Sequence, residues 1–345
     1  MYKQYKTLGQ MARRAYDEER RLVAPLVGFP GVVLTGSSIK MAQQNYGEHF
    51  KAIKCLVEEY RPDLVFPLMD LAVEANALGR YTIFPKHDSA TVPKDPFDFR
   101  ELERLPEVNI AFDARVNSYV ETVKLMNLGL PRDVLRGAYV TGPYSLAGLI
   151  IGSDEAAIAT MLQPEEFTRL CEFVAETIQE YVRLLIAAGA QVICVLEPSA
   201  VMLGPAQFKQ YSADYVRHIL SSCKYSGINT IYHTCGNTLH VIQAMVESGV
   251  DGISLDSEDV GVRLPEVAKR VPEHVAIIGN INPARTMLYG SSTEVENKVN
   301  DLLDAMDPYP NFILSTGCDL PQETPPENIH AFMQSGRAHR CRKPM

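Results

Sequence analysis

Short apolar runs alternate with longer amphipathic ones along this chain. The short runs cover residues 32–34, 63–67, 135–141, 191–196, 230–233, 252–255, 275–278 and 312–315. They are rich in Val, Ile and Leu and do not alternate with polar residues, as parallel strands buried on both faces do not. Between them, residues 167–187, 205–220, 239–247, 295–306 and 328–333 carry apolar positions at helical spacing. Strand, helix, strand, repeated about eight times, predicts an α/β fold: a (β/α)8 TIM barrel in preference to an open doubly wound sheet. Residues 1–30 fall outside the pattern and predict an N-terminal helical extension, with the barrel over 31–345. Residues 81–106, with Pro85, Pro93 and Pro96, read as a long excursion of the kind that covers active sites.

Composition narrows the functional classes. The chain has 345 residues, 46% of them hydrophobic, enough for a barrel-sized core. Its net charge is −9 and no block of Lys and Arg offers a phosphate-binding surface, so nucleic acid is not an expected partner. No apolar run approaches the ~20 residues of a membrane span. The polar start, MYKQYKTLGQ, is not a signal peptide, and a cytoplasmic location is expected. Seven cysteines, an odd number scattered over the chain, read as reduced thiols rather than a disulfide framework.

Candidate chemistry collects where the strands should end. Asp70, Glu197, His233, Cys235, Asp256, Asn280, Asn282 and Cys318 each follow an apolar run. In a (β/α)8 barrel all C-terminal strand ends meet on one face, where catalysis is found. Taken singly, Asp70 and Asp256 are as readily helix N-caps, and Asn280 and Asn282 turn formers. Glu197 is harder to dismiss, because a carboxylate ending an apolar strand must be paired, metal-bound or near water. Cys55, Cys171, Cys194, Cys223 and Cys341 read as filler, and His240 as structural.

His233 and Cys235 are two apart on an extended segment, so both face one side. Cys318 ends a strand three units later. An N/S2 set suits Zn²⁺, and three protein ligands leave a fourth position open, as in catalytic sites. Gly236 and Gly317 flank the cysteines and permit tight turns. Spacing alone would favour coincidence; placement of all three at strand ends reverses that.

The segments YHTCGNTLHVIQAM, GISLDSE, IIGNINP and STGCDLPQETPPENIHAF resemble the zinc-dependent cobamide methyltransferases of the uroporphyrinogen decarboxylase superfamily. The similarity is clearest over residues 137–332 and weaker over 31–79. It implies a (β/α)8 barrel with His233, Cys235 and Cys318 as zinc ligands. It also implies a displaceable carboxylate ligand on the next strand, where Asp256 stands in place of a longer glutamate. The reaction implied moves a methyl group to or from the cobalt of a corrinoid. The chain has no D-x-H-x-x-G corrinoid motif, so a separate corrinoid protein is the expected partner. The small-molecule substrate is either a thiol acceptor such as coenzyme M or a methoxylated aromatic donor. Tyr139, Tyr144, Met69 and Met202, with Tyr81, as an aromatic lining favour the aromatic donor. Glu197 would then hold or protonate the leaving oxygen, and Asp70, Asn280 and Asn282 would position substrate. One alternative is a metal-free decarboxylase, which FPLMDLAVEANALG resembles and whose essential aspartate would fall on Asp70. This chain lacks the arginine-rich M-R-Q-A-G segment of those decarboxylases, and that reading leaves the His and Cys residues unexplained. The other is a non-catalytic barrel with structural zinc.

Overall fold

The computed structural model describes residues 7–94, 97, 99–100 and 108–342. Part of the 81–106 excursion and the first six residues of the expected extension lie outside them. Eight strands form one parallel sheet: β1 (Leu22–Val23), β2 (Leu64–Val65), β3 (Leu135–Thr141), β4 (Val192–Leu196), β5 (Asn229–Thr234), β6 (Gly252–Leu255), β7 (Ala276–Ile281) and β8 (Phe312–Thr316). Their order is β1-β8-β7-β6-β5-β4-β3-β2. Asp63 brings the two ends together. Its N–H donates to the Val23 carbonyl at 3.0 Å, and its Oδ2 accepts the Val23 N–H at 2.7 Å. The result is a (β/α)8 barrel with helices between the strands.

Strand pleating divides the apolar residues into two cores. Leu22, Leu64, Phe66, Tyr139, Val192, Cys194, Leu196, Ile231, Ile278 and Ile313 fill the lumen. Val23, Val65, Ala138, Val195, Tyr232, Leu255, Ile277 and Leu314 face the helices. Successive residues alternate between these two layers, as the twofold period of a strand requires. The N-terminal helix Leu8–Asp17, opened by a Thr7/Gln10 capping box, inserts Leu8, Ala12 and Ala15 into the lumen side of this core. Its Leu8 N–H donates to Asn229 Oδ1 at 2.7 Å, which ties the helix to the start of β5.

Three expectations are corrected. Residues 32–34 are not a strand: Pro30–Leu34 is a short helix started by proline, with Val32 buried but Val33 57% exposed. The first strand is Leu22–Val23, within the segment expected to be helical. Its two residues are too few to show a period, and Arg20 and Arg21 precede them. Arg21 is nevertheless buried, donating to the Tyr309 and Met306 carbonyls at 2.8 Å each. The helix expected over 205–220 is broken into Pro205–Phe208, a π-turn Lys209–Ala213 and Asp214–Ile219. The helix at 167–187 extends to Pro164–Ala188 and stops at Gly189, whose φ of 107° suits a left-handed cap. No single helix among the described residues is long and apolar enough to cross a membrane.

Candidate metal centre

His233 follows the lumen-facing Ile231 by two residues, so β5 carries its imidazole to the inner rim. Cys235 comes two residues later, and Cys318 arrives from the turn after β8. The ligand atoms of these three lie within 4.8 Å of one another. Cys235 Sγ is 3.4 Å from His233 Nε2 and 3.7 Å from Cys318 Sγ. A disulfide would place the sulfurs about 2.05 Å apart. Tetrahedral zinc, at about 2.3 Å from sulfur and 2.05 Å from nitrogen, sets S···S near ~3.8 Å and S···N near ~3.6 Å. The observed triangle matches both to within a few tenths of an ångström, so the residues fit that ion.

The surroundings hold this triangle in shape. Ser254 is the register partner of His233 across β5 and β6, and its Oγ lies 2.9 Å from His233 Nδ1. Gly236 has φ of 79°, which turns the backbone directly after Cys235 at no Cβ cost. A Cβ on Gly317 would lie 2.8 Å from the Ser257 nitrogen, so only glycine lets the Cys318 turn approach so closely. Without a cation, the hydrogen bond with Cys235 and then burial push the Cys318 thiol well above its usual range. A bound cation reverses that preference by favouring thiolates.

Asp256 stands outside the converging group. Its Oδ2 accepts the Gly236 N–H at 2.8 Å and its Oδ1 the Ser257 N–H at 2.6 Å. Glu197 also has a different place from the one expected. It follows the lumen-facing Leu196 and so falls on the helix side of the barrel. There it is fully buried and accepts from Tyr144 N–H (2.8 Å), Ser145 N–H (3.0 Å), Ser145 Oγ (2.7 Å) and Ser212 Oγ (2.8 Å). Ser212 in turn contacts the Tyr232 hydroxyl at 2.5 Å. Burial pushes Glu197 up to about 7. Every bond to it comes from protein donors, so it anchors the start of helix Pro143–Ile151 and has no oxygen left for a leaving group.

The expected aromatic lining does not assemble. Tyr139 is in the lumen, stacked on Phe66 at 4.5 Å, and Met69 packs at the same core's edge. Tyr144 lies in the helix layer against Phe167. Met202 is 63% and Tyr81 67% exposed. Asp70 is buried: its Oδ1 accepts the Ala72 N–H at 2.9 Å, and its Oδ2 is bonded by Tyr119 at 2.8 Å and paired with Arg115. Asn280 donates to the Asp256 and Val262 carbonyls at 2.8 Å each, and Asn282 to Asp259 Oδ2 at 2.9 Å. Both asparagines therefore stitch the loops after β6 and β7, and they border a cleft beside the mouth together with Ser257 and Arg285.

Two residues near the centre carried no recognisable signal in the sequence. Ser254 is one. The other is Asp319, next to Cys318, whose Oδ1 accepts the Gly28 and Leu320 N–H groups at 3.1 and 2.9 Å. Its Oδ2 is shielded from solvent, and burial pushes the carboxyl up to about 7.

Comparison with known proteins follows the same lines. The family model described as "Uroporphyrinogen decarboxylase (URO-D)" matches residues 34–339. The chain is 25% identical over 247 residues to the methylcobamide:CoM methyltransferase MtbA of Methanosarcina acetivorans, covering 70% of this chain and 69% of that protein. It is 31% identical over 209 residues to the uroporphyrinogen decarboxylase of Parasynechococcus marenigrum, covering 58% and 57%. A methyltransferase from Methanosarcina mazei superposes with a TM-score of 0.81 at 20% identity, covering 96% of this chain and 98% of that one, a likeness of fold.

Proposed function

The chain belongs to the uroporphyrinogen decarboxylase (URO-D) family, and on that footing we propose that it is a zinc-dependent, corrinoid-dependent methyltransferase whose small substrate is a thiol. One observation carries the reading: the His233, Cys235 and Cys318 triangle, with edges of 3.4 and 3.7 Å, at the mouth of the barrel. The similarity to MtbA, named for methyl transfer between a cobamide and CoM, supports it. Zinc bound there would act as a Lewis acid and lower the pKa of a coordinated thiol.

The chain's own residues do the rest. His233, Cys235 and Cys318 would hold the ion through one nitrogen and two sulfurs, which would leave a coordination position for substrate. Asp256 is held by two backbone N–H groups and does not fill it. Tyr139, Phe66 and Leu196 close the lumen below the ligands, which keeps bulk water from reaching them from the far end. A separate corrinoid protein docking at the open mouth would bring the cobalt to the substrate.

A thiol is preferred to a methoxylated aromatic because the residues expected to line an aromatic pocket are dispersed between lumen, helix layer and solvent. The decarboxylase alternative leaves the ligand triangle without a use, and the Asp70 it needs is buried in a pair with Arg115. A purely structural zinc calls for a fourth protein ligand, and the converging group contains three. The test is demethylation of methylcobalamin with a panel of small thiols, set beside methylation of cob(I)alamin by methoxyphenols. Turnover with thiols and none with methoxyphenols is expected; the opposite pattern returns the aromatic donor.

A further inference from the structure

We propose that β6 carries the outer shell of the metal centre: Ser254 fixes His233 as an Nε2 ligand, and Asp256 clamps the Cys235 loop instead of binding the ion. The inference rests on the zinc reading above and assigns two residues that the ligand triangle does not include. Ser254 lies in β6, with Ile253 and Leu255 on the helix side, and Asp256 directly follows the strand's end at the rim. Its neighbour β5 presents His233 opposite Ser254.

A neutral imidazole has one N–H and one lone pair. Ser254 Oγ lies 2.9 Å from Nδ1, and both residues are buried, so water does not compete for that contact. With the Nδ1 proton held on Ser254, the Nε2 lone pair is the one aimed at the two sulfurs. The opposite tautomer would place an N–H where the cation must sit. Metal-bound histidines are ordinarily oriented by such a partner.

Asp256 works on the neighbouring ligand. Its two oxygens take the N–H groups of Gly236 and Ser257, and Gly236 directly follows Cys235. Its own carbonyl is fixed by Asn280 at 2.8 Å. Turning this carboxylate onto the ion would release both N–H groups in a half-buried site, and each would lose its bond. Clamped as it is, Asp256 holds Cys235 in register with Cys318 and leaves the fourth position to substrate.

The test uses the full-length protein and its variants S254A, S254T and D256N. Zinc affinity is measured by competition with a chromophoric chelator, and coordination from the visible bands of the Co(II)-substituted protein. S254A is expected to bind zinc about 10–100-fold more weakly, the range for losing an orienting partner. S254T, which keeps the hydroxyl, is expected to restore affinity, and the metal-free variants to stay folded, with S254A losing less stability than zinc affinity. D256N is expected to show the wild-type Co(II) bands. Wild-type affinity in S254A, failure of S254T to restore it, or a matching drop in metal-free stability overturns the role of Ser254. Co(II) bands altered in D256N make Asp256 a ligand and overturn the clamp. A wild-type chain that binds no zinc defeats the parent reading instead, whereas tight binding indifferent to Ser254 defeats this inference alone.

Discussion

Replacing Glu197 by Gln tests whether this carboxylate is an anchor or a catalyst. Burial raises its pKa from 4.5 to about 7, against four hydrogen bonds that pull the other way. The sign follows from linkage. Below about 4.5 the group is protonated whether the chain is folded or not, and the folded state has the full benefit of the shift. Between 4.5 and about 7 the unfolded chain releases a proton that the folded chain keeps, so stability falls as pH rises, and the contribution is gone above about 7. The shift corresponds to about 3 kcal/mol, of which about 2–3 kcal/mol is lost between pH 5 and 8. Glutamine does not titrate, so Glu197→Gln lacks this decline. The assay is urea unfolding of both proteins at pH 5, 6, 7 and 8. Both keep the same metal ligands, so the difference between them isolates Glu197. The stability of wild type relative to the variant should fall by about 2–3 kcal/mol across that range. Parallel profiles, with methyl transfer lost in the variant, would refute the anchor role and return Glu197 to the chemistry.

Asp70→Asn strips the buried Arg115 of its counter-charge and should cost about 3–5 kcal/mol in urea unfolding, with much of it recovered by joining Asp70→Leu to Arg115→Met. A loss below about 1 kcal/mol would mean that Arg115 is hydrated and the pair is not a buried one. Val23→Asp places a charge in a fully buried strand and should cost more than about 3 kcal/mol, whereas Val33→Asp, at a position 57% exposed, should change stability by about 0.5 kcal/mol or less. The reverse ranking would restore residues 32–34 as the first strand.

Six of the eight strands, β3 to β8, were legible because their short apolar-rich stretches are covered on both faces and lie between longer amphipathic ones. β2 was legible through its longer flanking run, DLVFP, although only Leu64 and Val65 pair as a strand. β1 was not, since two residues directly after two arginines carry no period; its place is fixed by pairing with β8 and by Asp63. The ligand triangle was legible because His233 and Cys235 share one parity and Cys318 ends another strand. Glu197 was misplaced for the complementary reason. Strand-end position says that a residue is near the rim, but parity decides which side it serves, and one step past Leu196 turns it away from the lumen. Tyr144 was misplaced because it sits in the first turn of a helix whose apolar face packs on Phe167. Ser254 was overlooked because a lone serine inside GISL carries no signal until its register with His233 is known.

The central claim, that His233, Cys235 and Cys318 hold a catalytic zinc, is tested most directly by metal content and thiol-dependent demethylation of methylcobalamin measured together on wild type and Cys318→Ala. One zinc per chain with transfer is expected in wild type, and both are lost in the variant while the barrel stays folded. Transfer that persists in zinc-free protein, or a wild-type chain purified and reconstituted without stoichiometric zinc, would contradict it.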